Sequence, residues 1–447
     1  MSSEAQLVPF SQGFTDSEDI FKRKYFYAQI LRIIKKSPDP NPVLALDDNW
    51  GNGKTTFVQM MHSQLTLDEK DSLNVIYFDS FENDYLTDPF ISLTAQIYSM
   101  IERDSGVLQK FGKRFINASK KVGATILTGG MKIAISTASA GLVDSGTAGQ
   151  ISKAVIDKAT DNAEAYIEKK IKSANEEKAN IAYFKNLLEE IHSDSKKKTV
   201  FIIDELDRAR PDYALDLLEK IKHLFSVEGV IFLLVMNRTQ FERSIEQRYG
   251  RIDSRTYLNK FVNYWFTLPK IRAQEAAKNY NDTTITRHLK HLNSKHKLLA
   301  GNGDFIQCLS FLLDINGCSL REAERCYSLL AVMDGSEKVA SFVDVYQTPL
   351  AFIIFLKVTN PLLLYNFINK KINKSELYSA LNMTPSNLIS NQAYDLLNFA
   401  IDYFYLSEED LKKQENIKIY GSTYSYFGRR QNPFEDFNKS LENLSLL

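Results

Sequence analysis

The chain lacks most of the features that would announce a compartment or a covalent framework. Its three cysteines, Cys308, Cys318 and Cys326, fall in one region without C-x-x-C spacing. So sparse and odd a set excludes a disulfide scaffold, offers no metal site and suits a cytoplasmic location; small core residues are the expected reading. Net charge is zero, 55 basic side chains against 55 acidic. That removes any global footprint for nucleic acid or an anionic membrane and leaves only local basic faces. The opening MSSEAQLVPFSQ has no charged start followed by an apolar run, so no leader is expected. Long apolar runs are missing too. Segments 122–131 and 133–143 are broken by Lys132, and 348–356 is short. A spanning helix needs about 20 apolar residues, so no membrane span is expected.

What is present suffices for two or three domains: 447 residues, 44% of them hydrophobic. Residues 48–56 read DNWGNGKTT, directly after the apolar VLAL of 43–46. This is a phosphate-binding loop in the strand–loop–helix setting it requires. Its backbone N–H groups form an anion nest, and the following helix aims its positive end at the same point. Asn49, Trp50, Gly51, Asn52, Gly53, Lys54, Thr55 and Thr56 are the expected nucleotide-binding residues. Lys54 reaches the outer phosphates and the Thr55 hydroxyl serves Mg²⁺. Asp48 replaces the usual first glycine, and its charge is expected to sit near the phosphates and weaken affinity.

The second string is VFIIDELDR, residues 200–208. An acid at such a strand end, Asp204, organises Mg²⁺ through water, and an adjacent acid, Glu205, polarises the attacking water. A helix cap with acids in its first turn is the competing reading of DELDR. The next apolar strand, VIFLLVM, ends in Asn237, which either contacts the γ-phosphate or is a solvated loop residue. The following NRTQ is not the guanine-reading N-K-x-D, which favours adenine and hence ATP. Arg251 and Arg255 are candidate fingers toward a neighbouring subunit, with a hydrated surface as the alternative. Arg321 is a candidate lid arginine, with ion pairs to Glu322 and Glu324 as the alternative. Asp79, Glu82 and Asp84 are further acids. His288, His291 and His296 lie among basic residues that repel a cation, so a solvated basic face is expected rather than zinc.

Strands near 43–46, 74–79, 199–203, 230–236 and 264–268 alternate with helices, which predicts a mostly parallel sheet covered on both faces. A first helix is expected over 21–34. The expected domains are an N-terminal helical segment, 1–42, a nucleotide core, 43–270, and a helical C-terminal region, 271–447. An insert of about 105–180 interrupts the core, with an amphipathic helix from 151 to 179.

Together these strings resemble the KAP P-loop NTPases. Trp50, Gly51, Gly53, Lys54 and Thr55 match that family's loop; Asp48 and Asn49 depart. Asp204, Leu206, Asp207 and Arg208 match its acidic motif, and Tyr257, Leu258 and Lys260 match the motif before its last strand. The resemblance covers about residues 15–330, with five motifs in order. It implies a P-loop NTPase α/β core of the additional-strand, AAA-related type with a five-stranded sheet and a helical lid. It also implies an Mg²⁺-dependent ATPase acting as a switch. Protein partners, homo-oligomers and bacterial defence against phage or plasmids belong to the same expectation. An ATP-dependent scaffold with little hydrolysis, favoured by Asp48, and a nucleic-acid motor are the alternatives. The motor would need the basic residues of 110–121 and 287–297.

Overall fold

The computed structural model describes residues 10–86, 88–104, 106–127, 175–272, 282–299, 303–332, 344–383, 392–413, 425–426, 429–430 and 432–441. The anticipated amphipathic helix, up to residue 174, and most of the Gly/Ala-rich run lie outside them.

Two compact units emerge. The first comprises Met1–Phe14, Tyr27–Asp47 and Thr55–Thr267; the second comprises Thr15–Phe26, Asp48–Lys54 and Leu268–Leu447. The first unit holds one sheet of five strands: β1 (Val43–Asp47), β2 (Leu73–Asp79), β3 (Lys198–Asp204), β4 (Val230–Met236) and β5 (Tyr264–Thr267). Every pairing is parallel and the order is β2-β3-β4-β1-β5. In β4 all seven residues, VIFLLVM, are buried. An uninterrupted apolar strand suits the centre of a sheet covered on both faces. β4 lies between the strand that precedes the Gly-Lys-Thr loop and the strand that ends in Asp204. That inserted strand is the hallmark of the additional-strand class of P-loop folds.

Helices cover this sheet. Helix α1 (Lys24–Lys36) precedes β1, and α2 (Lys54–Asp68) follows the loop. The segment 80–127 carries the short α3 (Ser80–Asn83), then α4 (Pro89–Arg103) and α5 (Gly112–Leu127). Asp88 caps α4 by accepting from the Phe90 amide, with Pro89 in the first turn, where its missing N–H costs nothing. Residues 175–195 form α6; α7 (Pro211–Leu224), α8 (Arg238–Tyr249) and α9 (Ser254–Leu258) complete the unit. Its core joins Phe90, Phe184, Phe201, Phe225 and Phe232 with the aliphatic faces of β3 and β4.

The first helix starts at Lys24 rather than 21. Lys22 has φ +56, which a helix does not tolerate, and Asp19 accepts the amides of Arg23 (2.7 Å) and Lys24 (2.8 Å) as a local turn.

Beyond β5 the second unit is helical: α10 (Thr284–His296), α11 (Asp304–Ile315), α12 (Leu320–Val332), α13 (Asp344–Thr359), α14 (Pro361–Ile368), α15 (Lys374–Ala380), α16 (Gln392–Tyr405), α17 (Glu408–Leu411) and α18 (Pro433–Ser440). A two-residue ladder, Ser425–Tyr426 with Arg429–Arg430, is the one departure from helix among the described residues there. The short apolar run 348–356 lies within α13, with Leu350 to Leu356 buried. Cys308 and Cys326 are buried in this unit's core, and Cys318 packs against it. No described helix is long and apolar enough to cross a membrane.

Candidate functional site

The loop 48–54 runs from β1 into α2. Gly51 (φ +80) and Gly53 (φ +81) have backbone angles that side chains disfavour. At Gly51 there is no room either: an added Cβ would stand 2.6 Å from the Arg321 Cβ. The Gly51 carbonyl accepts the Arg321 amide (3.2 Å). Helix α12 starts there because Ser319 and Glu322 form a capping box, the Ser319 amide and hydroxyl donating to the Glu322 carboxylate (2.6 and 2.8 Å). Glu324 meanwhile pairs with His288 (3.1 Å). Glu322 is thus taken up by the cap and Glu324 by His288, although Glu324 also feels the charge of Arg321, which is exposed beside the loop. Trp50 is 43% exposed, and Asn52 is buried. The Lys54 ammonium donates to the loop carbonyls of Asp48 (2.6 Å) and Asn49 (3.2 Å).

Asp48 is buried, and its Oδ1 accepts from the Asn49 amide (2.7 Å), the Asn52 side chain (2.6 Å) and Lys270 Nζ (2.9 Å). The charge expected to oppose phosphate is therefore matched by Lys270, and the carboxylate braces the loop from within. Arg23 lies in the same neighbourhood, Nη1 donating to the Asn52 carbonyl (3.5 Å). Burial lowers its pKa to about 10, opposed by Asp48 and Asp19. Neither Lys270 nor Arg23 was singled out from sequence.

A cavity of about 560 Å³ adjoins the loop at Asn52. Ile271, Ile285, Ile315 and Leu320 supply its apolar walls, and Arg23, Lys270 and Asp314 its charges.

The acids sit at strand ends in the first unit. Asp204 is buried at the end of β3, in register with Asp79 of β2. Tyr77 donates its hydroxyl to Asp204 Oδ2 (2.9 Å) and the Glu205 amide donates to Oδ1 (2.8 Å), and the nearby Thr55 side chain also favours the charged carboxylate. Burial raises the Asp204 pKa against these bonds, with Asp79 adding to the rise. Glu205 stands in the left-handed region (φ +53) and forms an ion pair with Arg208 (2.8 Å). Burial raises its pKa while Arg208 opposes. The DELDR string is not a conventional helix cap: α7 begins later, at Pro211.

Asn237 follows β4 and caps α8, accepting from the Gln240 amide (3.3 Å). It is buried rather than solvated. Arg251 and Arg255 are exposed, Arg255 lying 3.9 Å from Glu242. Asp79 caps α3, and Asp84 accepts the Arg210 amide (2.9 Å), so both carry structural bonds. No described His, Cys or acid cluster is arranged to hold a metal on its own.

The donor set suits a triphosphate with its magnesium ion. A glycine-shaped loop supplies amides and a lysine, and the threonine after that lysine stands by a buried carboxylate. With this loop following the first strand of an additional-strand sheet, the protein is a P-loop NTPase, a nucleotide-binding class. The model of the KAP family P-loop domain matches residues 23–370, and the chain belongs to the KAP family of P-loop NTPases. Among solved structures it is similar to the Aeropyrum pernix ORC2 protein, described in its ADPNP-ADP complexes. The identity is 12%, 86% of each chain is covered and the TM-score is 0.35. No curated protein matches the sequence.

Proposed function

We propose that this P-loop NTPase is an Mg²⁺-dependent ATPase used as a nucleotide-driven switch. The observation that carries the reading is the pairing of functions on adjacent residues: Lys54 closes the glycine-shaped loop, and Thr55 stands by the buried carboxylate of Asp204. Thr55 and Asp204 are the residues that would hold a magnesium ion, which would supply charge neutralisation to the phosphates. Amides of residues 49–56 and the Lys54 ammonium hold the phosphates, the ammonium leaving its loop carbonyls to do so. Glu205 accepts the proton of the attacking water once it parts from Arg208. Asn237 orients that water or the terminal phosphate. The cavity beside Asn52 takes the base: its volume and mixed apolar and charged lining suit a purine with its ribose.

The exposed Arg251 and Arg255 fit a role across a subunit interface in a homo-oligomer, and Arg321 a role over the phosphates. Residues 1–42, 43–270 and 271–447 act as N-terminal segment, core and helical lid region. A cytoplasmic setting rests on the sparse cysteines, and protein partners and a part in defence against phage or plasmids rest on the family resemblance.

Glu205→Gln tests the chemistry. The variant should bind ATP with unchanged affinity and lose at least about a hundredfold in turnover. Wild-type turnover in that variant would remove Glu205 from the mechanism.

A further inference from the structure

Asp314, near the C-terminal end of α11, lines the cavity beside the loop. Its Oδ2 accepts from the Thr283 hydroxyl (2.6 Å), and no ion pair reaches it among the described residues. The charged groups sharing the cavity are Arg23, Lys270 and Arg272. Lys270 is committed to Asp48, and Arg23 is flanked by Asp19 and Asp48. Cys318, with Glu322 behind it, is the remaining titratable neighbour, and its thiol is pushed up to about 12 by burial and these two acids. Arg272 is exposed and forms no ion pair with Asp314 among the described residues, so no cation there holds the Asp314 carboxyl ionised. Burial lifts its pKa to about 7 against the Thr283 bond, and the negative end of α11 acts in the same direction.

Resting on the reading of this cavity as the base pocket, we propose that Asp314 is the base-reading residue and recognises adenine as a neutral carboxylic acid. A protonated carboxyl offers one donor and one acceptor side by side. The Watson–Crick edge of adenine offers the complement, N1 to accept and the 6-amino group to donate. The Thr283 bond marks Oδ2 as the carbonyl-like oxygen, which leaves Oδ1 to carry the proton. An ionised carboxylate would instead face adenine N1 with a second lone pair and suit the two adjacent N–H groups of guanine. ATP binding thus takes up a proton, and affinity falls as pH rises through the Asp314 range.

Titration calorimetry of the full chain with Mg·ATP tests this, at pH 6 to 8 in buffers of differing ionisation enthalpy. Wild-type affinity should fall about tenfold from pH 6 to pH 8, as the competent fraction falls, with close to one proton taken up at pH 8. Asp314→Asn presents the same donor–acceptor pair at every pH. It should bind at pH 8 with about the wild-type affinity of pH 6 and shed the tenfold loss. Ionisation of the nucleotide phosphates is common to both proteins and cancels in the comparison. Equal slopes in the two proteins overturn the proposal, as does GTP binding that exceeds ATP and tightens with pH. Lys54→Ala separates the two levels. If Lys54-dependent ATP binding persists with equal slopes, only the role of Asp314 falls; if the wild type binds no ATP, the base pocket falls with it. A thermal melt confirms that the variant folds. Its midpoint should exceed the wild type at pH 8 and approach it near pH 4, because a raised carboxyl pKa loses stability as pH climbs from about 4 to about 7.

Discussion

At position 48 a carboxylate stands where a phosphate loop usually has no side chain. The loop keeps its shape because Asp48 serves as an internal acceptor for Asn49, Asn52 and Lys270. Its side chain is 3% exposed against 33% for Lys270, so removing the lysine strands a buried charge. Lys270→Ala should cost about 1–3 kcal/mol, discounted for the partly exposed lysine, and should weaken ATP binding. Adding Asp48→Asn should restore part of both losses, since an amide needs no counter-charge. Denaturant melts and ATP titrations check this; a single variant within about 0.5 kcal/mol of wild type contradicts it. The example also separates what could be read from the string and what could not. Gly51, Gly53, Lys54 and Thr55 act through local geometry, so nine consecutive residues suffice to recognise them. Lys270 lies 222 positions after Asp48, and no local pattern ties the two together. Tyr77 is missed for the same reason: a strand tyrosine looks like core until its hydroxyl is seen on Asp204.

At the level of elements, strands were legible because their apolar runs are uninterrupted; β4 falls where its sequence pattern ends, at Val230 and Met236. Helix starts were less so, because they depend on capping. A pattern of apolar spacing puts the first helix at 21, whereas the Asp19 turn delays it to Lys24. Asn237 shows how a cap and a catalytic role overlap. Its side chain accepts from the Gln240 amide, which explains an asparagine here without any phosphate. Asn237→Ala should therefore cost about 1 kcal/mol of stability as well as turnover. Asn237→Ser keeps an N-cap but shortens the reach. It should restore stability and leave ATP turnover depressed. If serine restores both, Asn237 is only a cap.

On the scale of the whole chain there are two cores. One surrounds the sheet through Phe201 and Phe232; the other gathers around α13, with Phe305, Leu309 and Phe352. The change after Pro269, from apolar strands alternating with helices to helical patterns with few turn signals, is visible in the sequence. What was not visible is that residues 15–26 and 48–54 cluster with the helical unit. Those contacts run through Leu320, Arg321, Lys270 and Arg23, distant in sequence and unmarked by any motif. The cavity for the base follows from that clustering, since Asn52 and residues after 270 line it together. The central claim is that this loop holds a triphosphate. Equilibrium binding of Mg·ATP to the full chain and to Lys54→Ala measures it most directly. The account predicts saturable binding by the wild type and a loss of at least about a hundredfold in the variant, with both proteins melting alike without nucleotide. Equal affinity in the two proteins, or no binding by the wild type, would contradict it.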